Sequence, residues 1–288
     1  MKYTIFLNGE RGFYILKKIL KEKKLKLNNI IYCKKEIKSK LRHIINLKKT
    51  LYIKNINKNK SLLTLKKKNN DLFIIAGYPQ IFASNVLKIP KKMTINLHGG
   101  PIPKYRGGSP LNWQIINDEK KIGISILEVN KKIDGGKLIE KTFFSLNQED
   151  DIKTVHKKAN YFFYKLLKKA LTKIRKKKNR NLFLNKSGES KYWHQRKDIH
   201  GELNYKKKSA KECFNFIRAI TKPYPGAWIK YKYKKKRCII RLFKSRIMNK
   251  NRLEKKIFLK KKSIYLPCKD NFLKVTKFQI SYDNPLSK

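Results

Sequence analysis

Four short apolar runs constrain the fold more than any other feature: YTIFLN (3–8), NNIIYC (28–33), DLFIIA (71–76) and MTINL (93–97). They are rich in β-branched and aromatic residues and nearly continuous in apolar character, as expected of strands covered on both faces. Between them lie stretches with helical spacing. In FYILKKILKEK (13–23), Phe13, Leu16, Ile19 and Leu20 share one face, and helices are also predicted over 59–68 and about 80–87. Gly9 to Gly12 reads as a turn, while the Lys-rich segment 34–58 shows no period that assigns it. Strands alternating with helices predict an α/β fold, a doubly wound and mainly parallel sheet.

Further along, SPLNWQIIND (109–118) begins with Ser109 as a cap and Pro110 at the first helical position. IGISILEV (122–129) and KLIEKTFFSL (137–146) read as strands around the turn NKKIDGG. A long helix is predicted over 149–171, with acidic residues in its first turn. The chain is irregular from about 181 to 205, and a short helix follows over 208–220. From Trp228 onward, short β-rich runs alternate with Lys/Asn turns, which predicts a small antiparallel barrel-like or sandwich domain. The expected partition is a first domain over 1–185, a linker over 186–207 and a barrel-like domain over 208–288.

The formal net charge is +55. Such a balance fits a polyanionic partner, but lysines spread along the whole length, beside abundant Asn and Ile, fit compositional drift equally well. The densest basic run, KLLKKALTKIRKKKNR (165–180), carries Leu166, Leu167, Ala170, Leu171 and Ile174 at helical spacing, so it reads as the solvated face of an amphipathic helix. Cys33, Cys213, Cys238 and Cys268 are scattered without metal-ligand spacing, so no metal is expected. The opening residues lack a signal-peptide core, and no segment approaches the ~20 apolar residues of a membrane helix. These features predict a reduced, cytoplasmic protein.

The stretch TINLHGGPIPKYRG (94–107) concentrates the chemistry. A strand ends in Asn96 and His98 and runs into a loop of glycines and prolines, the place where α/β proteins carry function. Alone, Asn96 and Asp134 read as turn residues and His98 as a histidine bonded to its loop. Together they offer a hydrogen-bond donor, a titratable imidazole and a carboxylate able to orient it, which are the parts of an acyl-transfer site.

The segment 96–141 resembles the signature of the 10-formyltetrahydrofolate-dependent formyltransferases, a family that includes methionyl-tRNA formyltransferase and the nucleotide-sugar N-formyltransferases. The matching residues are Asn96 and His98, the loop Ile102-Pro103-Lys104-Tyr105-Arg106-Gly107, Pro110 and Trp113, Ile122-Gly123-Ile124-Ser125, and Asp134-Gly135-Gly136. FNFIRAITKPYPGAW (214–228) is similar to the motif that opens the family's C-terminal barrel-like domain. The resemblance implies formyl transfer from 10-formyltetrahydrofolate to a primary amine. Asn96 would bind the developing oxyanion, His98 would add a donor and shuttle the amine proton, and Asp134 would accept from the imidazole or from the amine itself. It also implies a pterin site in which backbone groups of Gly77, Tyr78, Pro79, Gln80, Ile81 and Phe82, and of EVNKKID (128–134) with Val129 and Ile133, bind the ring. A plain strand-to-helix turn reads the same way over 76–82. Arg106 would order the loop or meet a phosphate.

The family usually carries Ser at the position of Gly100. The basic, Gly-containing loop with which its tRNA-acting members grip the acceptor arm has no counterpart in KKEIKSKLRHIINLKKT (34–50). SKYWHQR (190–196) looks like the linker of the sugar enzymes. The expected acceptor is therefore a nucleotide-linked amino sugar, with initiator methionyl-tRNA as the alternative. A hydrolase acting on the same donor and a non-catalytic nucleic-acid binder are the readings from other classes.

Overall fold

The structure, a computed structural model, describes residues 1–176, 182–185, 188–233, 236–248, 256–260 and 262–282. The end of the basic run (177–180) and residues 186–187 of the expected linker lie outside the described residues. The elements in chain order are β1 (Lys2–Leu7), α1 (Gly9–Ile19), β2 (Lys26–Tyr32), α2 (Ile37–Arg42), β3 (Thr50–Tyr52), α3 (Asn59–Lys66), β4 (Leu72–Ala76), α4 (Ser84–Leu87) and β5 (Met93–His98). They continue with β6 (Arg106–Gly107), α5 (Pro110–Ile116), β7 (Lys121–Glu128), β8 (Leu138–Ser145), α6 (Ile152–Lys176) and β9 (Tyr192–Trp193). The chain finishes with α7 (Ala210–Ile220), β10 (Ala227–Tyr233), β11 (Lys236–Met248), β12 (Phe258–Lys260), β13 (Ser263–Pro267) and β14 (Phe272–Ser281).

The main sheet has the order β3-β2-β1-β4-β5-β7-β8. The strands from β3 to β5 run parallel, and β7 joins β5 antiparallel, with His98 opposite Ser125. This is the expected doubly wound, mainly parallel sheet. Its strand order reverses between β1 and β4, and the carboxyl ends of such a pair open the crevice where ligands of these folds bind. One face carries a buried cluster including Phe6, Ile31, Ile53, Ile56, Leu65, Phe73, Tyr78, Phe82 and Val86. Phe6 meets Phe73, Tyr78 and Phe82 edge-on, with ring centroids 5.0, 5.6 and 4.8 Å away.

Two compact units divide the chain. The first comprises residues 1–107, 123–143 and 158–192, and the second 108–122, 144–157 and 193–288. The units interleave along the chain, whereas the sequence-based partition follows chain order. In the second unit, β10-β11-β14-β13-β12 form an antiparallel half-barrel sheet. Register shifts between Leu242 and Ser245 bend β11 along its pairing with β14. Helix α7 packs on this sheet and against α5. Its N-terminus is closed by a capping box, Ser209 accepting from the Glu212 amide at 3.1 Å while Glu212 accepts from the Ser209 amide at 2.8 Å.

Local expectations fail where tertiary contacts take over. Helix α1 starts at Gly9, so residues 9–12 are helical instead of forming a separate turn. Gly12 is needed there for close packing, since a Cβ at this position would lie 2.6 Å from the Leu7 Cβ. Helix α4 covers only the end of the expected 80–87. Gln80 is captured by the preceding loop, accepting from the Ile56 amide and donating to the Lys54 carbonyl, and Asn57 bonds both the Ile81 carbonyl and the Ala83 amide. Ser109 does not cap α5 through its side chain: it has φ +50° and its hydroxyl accepts instead from Gln195 and the Arg196 amide. The acidic residues expected in the first turn of α6 precede it. Asp151 bonds the Thr154 amide at 2.9 Å, as a capping residue does.

Candidate active site

Strand β5 delivers Asn96 and His98 to its carboxyl end two residues apart, so both side chains leave the same face of the sheet. The loop between β7 and β8 supplies Asp134, and the three side chains meet. His98 Nδ1 lies 3.4 Å from Asp134 Oδ2, and Asn96 Nδ2 donates to Asp134 Oδ1 across 3.4 Å. Asp134 Oδ2 also accepts from the Gly107 amide at 2.9 Å. His98 is 5% exposed and Asp134 11%.

Both nitrogens of the imidazole are therefore engaged. Nε2 lies 2.5 Å from the Tyr105 carbonyl oxygen, which can only accept, so this nitrogen carries a proton. Nδ1 faces the carboxylate. For His98 itself to shuttle the amine proton, one of these two contacts would have to open as the amine binds. Asn96 and Asp134 are partly exposed, whereas the imidazole is buried.

The loop geometry explains its composition. A Cβ at Gly100 would lie 2.5 Å from the Tyr105 carbonyl oxygen and 3.1 Å from His98 Nε2, so the close approach this glycine permits is to the protein's own loop. A Cβ at Gly136 would lie 1.7 Å from the Glu128 carbonyl oxygen. Asp134 itself adopts φ +47°, a left-handed conformation that Asp tolerates better than most residues. Arg106 holds this turn in place: Nε and Nη2 donate to the Ile133 carbonyl at 3.2 and 2.8 Å, and Nη1 donates to Ser190 Oγ at 3.2 Å. Of the two roles open to Arg106, ordering the loop is the one these bonds display.

The expected pterin-site residues fall into two groups. Gly77, with φ +78°, and Pro79 are exposed just past the end of β4, and Ile81 is 67% exposed. Tyr78 and Phe82 point into the core cluster, and Gln80 spends its side chain on residues 54–56. Val129 packs against that same cluster and its amide donates to Thr94, whereas Ile133 is 42% exposed beside Asp134. The segment thus offers a ligand its backbone and the Ile81 side chain. Sequence reasoning missed the Tyr105 carbonyl and the Gly107 amide as members of the site. Main-chain groups leave no residue-type signal, and only the spacing of the loop hinted at them.

Residues 24–171 match the family model described as "Formyl transferase", and residues 197–287 match the one described as "Formyl transferase, C-terminal domain". The chain belongs to the formyl transferase family. Among curated relatives of this formyl transferase is the bifunctional polymyxin resistance protein ArnA of Wigglesworthia glossinidia brevipalpis, 35% identical over 87% of the chain. The chain spans 37% of that relative's length. The methionyl-tRNA formyltransferase of Thermodesulfovibrio yellowstonii is 29% identical over 75% of the chain and 67% of its own length. Among solved structures, an N-formyltransferase from Helicobacter canadensis in complex with folinic acid and dTDP-3-aminofucose shares the fold. Its TM-score is 0.69 at 20% identity, over 97% of this chain and all of the other.

Among the described residues, no group of three or more His, Cys, Asp or Glu could hold a metal ion, and no helix of the formyl transferase is long and apolar enough to cross a membrane. All four cysteines are free thiols.

Proposed function

We propose that this formyl transferase moves a formyl group from 10-formyltetrahydrofolate to the primary amine of a nucleotide-linked amino sugar. The observation that carries the reading is the meeting of Asn96, His98 and Asp134 at the carboxyl end of β5. The amine nitrogen attacks the formyl carbon, the bond from that carbon to N10 breaks, and the proton lost by the amine ends on N10 of tetrahydrofolate. The Asn96 amide donates to the formyl oxygen as it gains negative charge. Asp134 takes the amine proton and returns it to the leaving nitrogen. His98, held by the Tyr105 carbonyl, keeps the carboxylate in position through its Nδ1. The donor's pterin ring lies along the backbone of Gly77 to Ile81, with Ile133 on the other side.

The choice of acceptor rests on residues 34–50. They contain no glycine, and they fold into α2, a short 3₁₀ turn and the start of β3, with Ile37 and Leu41 buried. A segment tied into the sheet in this way does not provide the pliable basic loop that gripping an acceptor stem requires. The complex of the Helicobacter canadensis enzyme with dTDP-3-aminofucose agrees with a sugar acceptor. Methionyl-tRNA is the second reading, favoured by the similarity to the Thermodesulfovibrio enzyme and by the net charge of +55.

The deciding experiment incubates the purified protein with 10-formyltetrahydrofolate and either a panel of nucleotide amino sugars or charged initiator tRNA, with mass spectrometry of the products. Formylation of at least one sugar nucleotide, with KM in the ordinary range of ~1 μM–1 mM, is expected. Efficient formylation of methionyl-tRNA with none of any sugar would overturn the choice of acceptor. No transfer from the folate donor to either would sink the whole reading.

A further inference from the structure

The second unit contains a cavity of about 70 Å³ whose lining includes Asn112, Arg196, Lys197, Asp198, Tyr224 and Gly226. Arg196 is its distinguishing member. The guanidinium lies against Trp113 and Phe216, 4.8 and 5.0 Å from the ring centroids, and Nη2 donates to the His200 carbonyl. The two rings hold the guanidinium by cation–π contact, which leaves its N–H edge for polar contacts. Among the described residues it makes no ion pair. The carboxylate lining the same cavity, Asp198, is already spent: it binds Arg241 through both oxygens, at 2.8 and 2.7 Å. Burial pushes the Arg196 pKa down to about 10, so it stays charged at neutral pH.

A partly buried guanidinium held against aromatic rings, without a carboxylate of its own, keeps N–H donors and a positive charge to offer an anion. Lys197 adds a second positive charge to the rim. Arg presents its N–H fork in a geometry that matches phosphoryl oxygens, and a cavity of this size admits one tetrahedral oxyanion. We propose that Arg196 and Lys197 form a binding site for a single phosphoryl group in the second unit. None of its residues belongs to the Asn96–His98–Asp134 constellation. The phosphoryl group is either free phosphate or the terminal phosphate of a nucleotide.

Isothermal titration calorimetry of the full chain tests this, with inorganic phosphate in one arm and a nucleoside diphosphate in the other. Binding in at least one arm is expected, and a preference of ~10-fold or more for one arm identifies the source. Arg196→Gln should weaken binding at least ~10-fold, as loss of a charge-assisted contact does. Because Arg196 also packs on Trp113 and Phe216, Lys197→Gln provides a second variant on an exposed side chain. It should weaken binding several-fold while leaving the melting temperature unchanged. Absence of binding to the wild-type protein in both arms, or an unchanged affinity in the Lys197→Gln protein, would overturn the proposal.

Discussion

Gly100 gives the sharpest test of the active-site geometry, because the usual residue of the resembled family at this position is Ser. In this chain a Cβ there would lie 2.5 Å from the Tyr105 carbonyl oxygen and 2.7 Å from its Cβ. Relief to an ordinary contact of 3.4 Å requires the Tyr105 carbonyl to retreat by roughly 0.9 Å. The same carbonyl accepts from His98 Nε2 at 2.5 Å, and a comparable retreat along that bond would carry it past the usual ~3.2 Å limit. A buried N–H and a buried carbonyl would then lose their partners together, at a cost of ~1–3 kcal/mol. For a chain of this size that corresponds to a fall in melting temperature of ~2–4 °C per kcal/mol. Gly100→Ala and Gly100→Ser should therefore both melt lower and turn over formyl transfer ~10-fold or more slowly, since His98 would no longer hold Asp134 from a fixed position. The assay is a thermal melt beside steady-state kinetics with a saturating folate donor. Wild-type turnover and melting temperature in Gly100→Ala would refute the claim that Tyr105 fixes the imidazole.

Asp134→Asn should lower turnover by at least ~10², with a smaller effect on donor KM, and steady-state kinetics at several donor concentrations separates the two. Phe82→Ala should act on stability first, at a cost of ~3–5 kcal/mol, because the ring is buried among Phe6 and Tyr78; a melt matching wild type would instead move Phe82 into the ligand site. Ser209→Ala should remove ~1 kcal/mol through loss of the α7 capping box, read by urea unfolding. The Ser209 amide holds the Glu212 carboxyl below its ordinary value of 4.5. That contribution is complete above the unfolded-state value and fades as pH falls through the lower folded one, so Glu212→Gln should flatten the acid limb of stability against pH.

The parallel strands and the candidate trio were legible because their signals are local. A buried parallel strand is a continuous apolar run, and Asn96, His98 and Asp134 are residue types whose chemistry is carried by the side chain. β3 was not legible, since its three residues, Thr50 to Tyr52, are embedded in lysines. It is recruited by pairing with β2, and Ile53 just beyond it joins the core cluster. The side chains of Tyr78 and Phe82 illustrate a different limit. An aromatic after a strand end can face a ligand or the core, and here the ring stacking around Phe6 decides for the core. Ser109 had the composition of a cap, yet its hydroxyl found partners 86 and 87 residues away. No local rule carries that information.

The short pairing of β6 with β9 bears on how the protein is made. Arg106 donates its amide to the Lys191 carbonyl at 3.0 Å and its side chain to Ser190, 84 residues downstream. During synthesis the main sheet can assemble once β8 has left the ribosome, but the loop carrying Tyr105 and Arg106 gains its strand partner only after residue 191 has emerged. Closing so long a loop is slow compared with local folding. A nascent chain halted before that point would therefore hold every strand of the main sheet, while the loop beside Asn96, His98 and Asp134 still lacked its β9 partner and the second unit was yet to emerge.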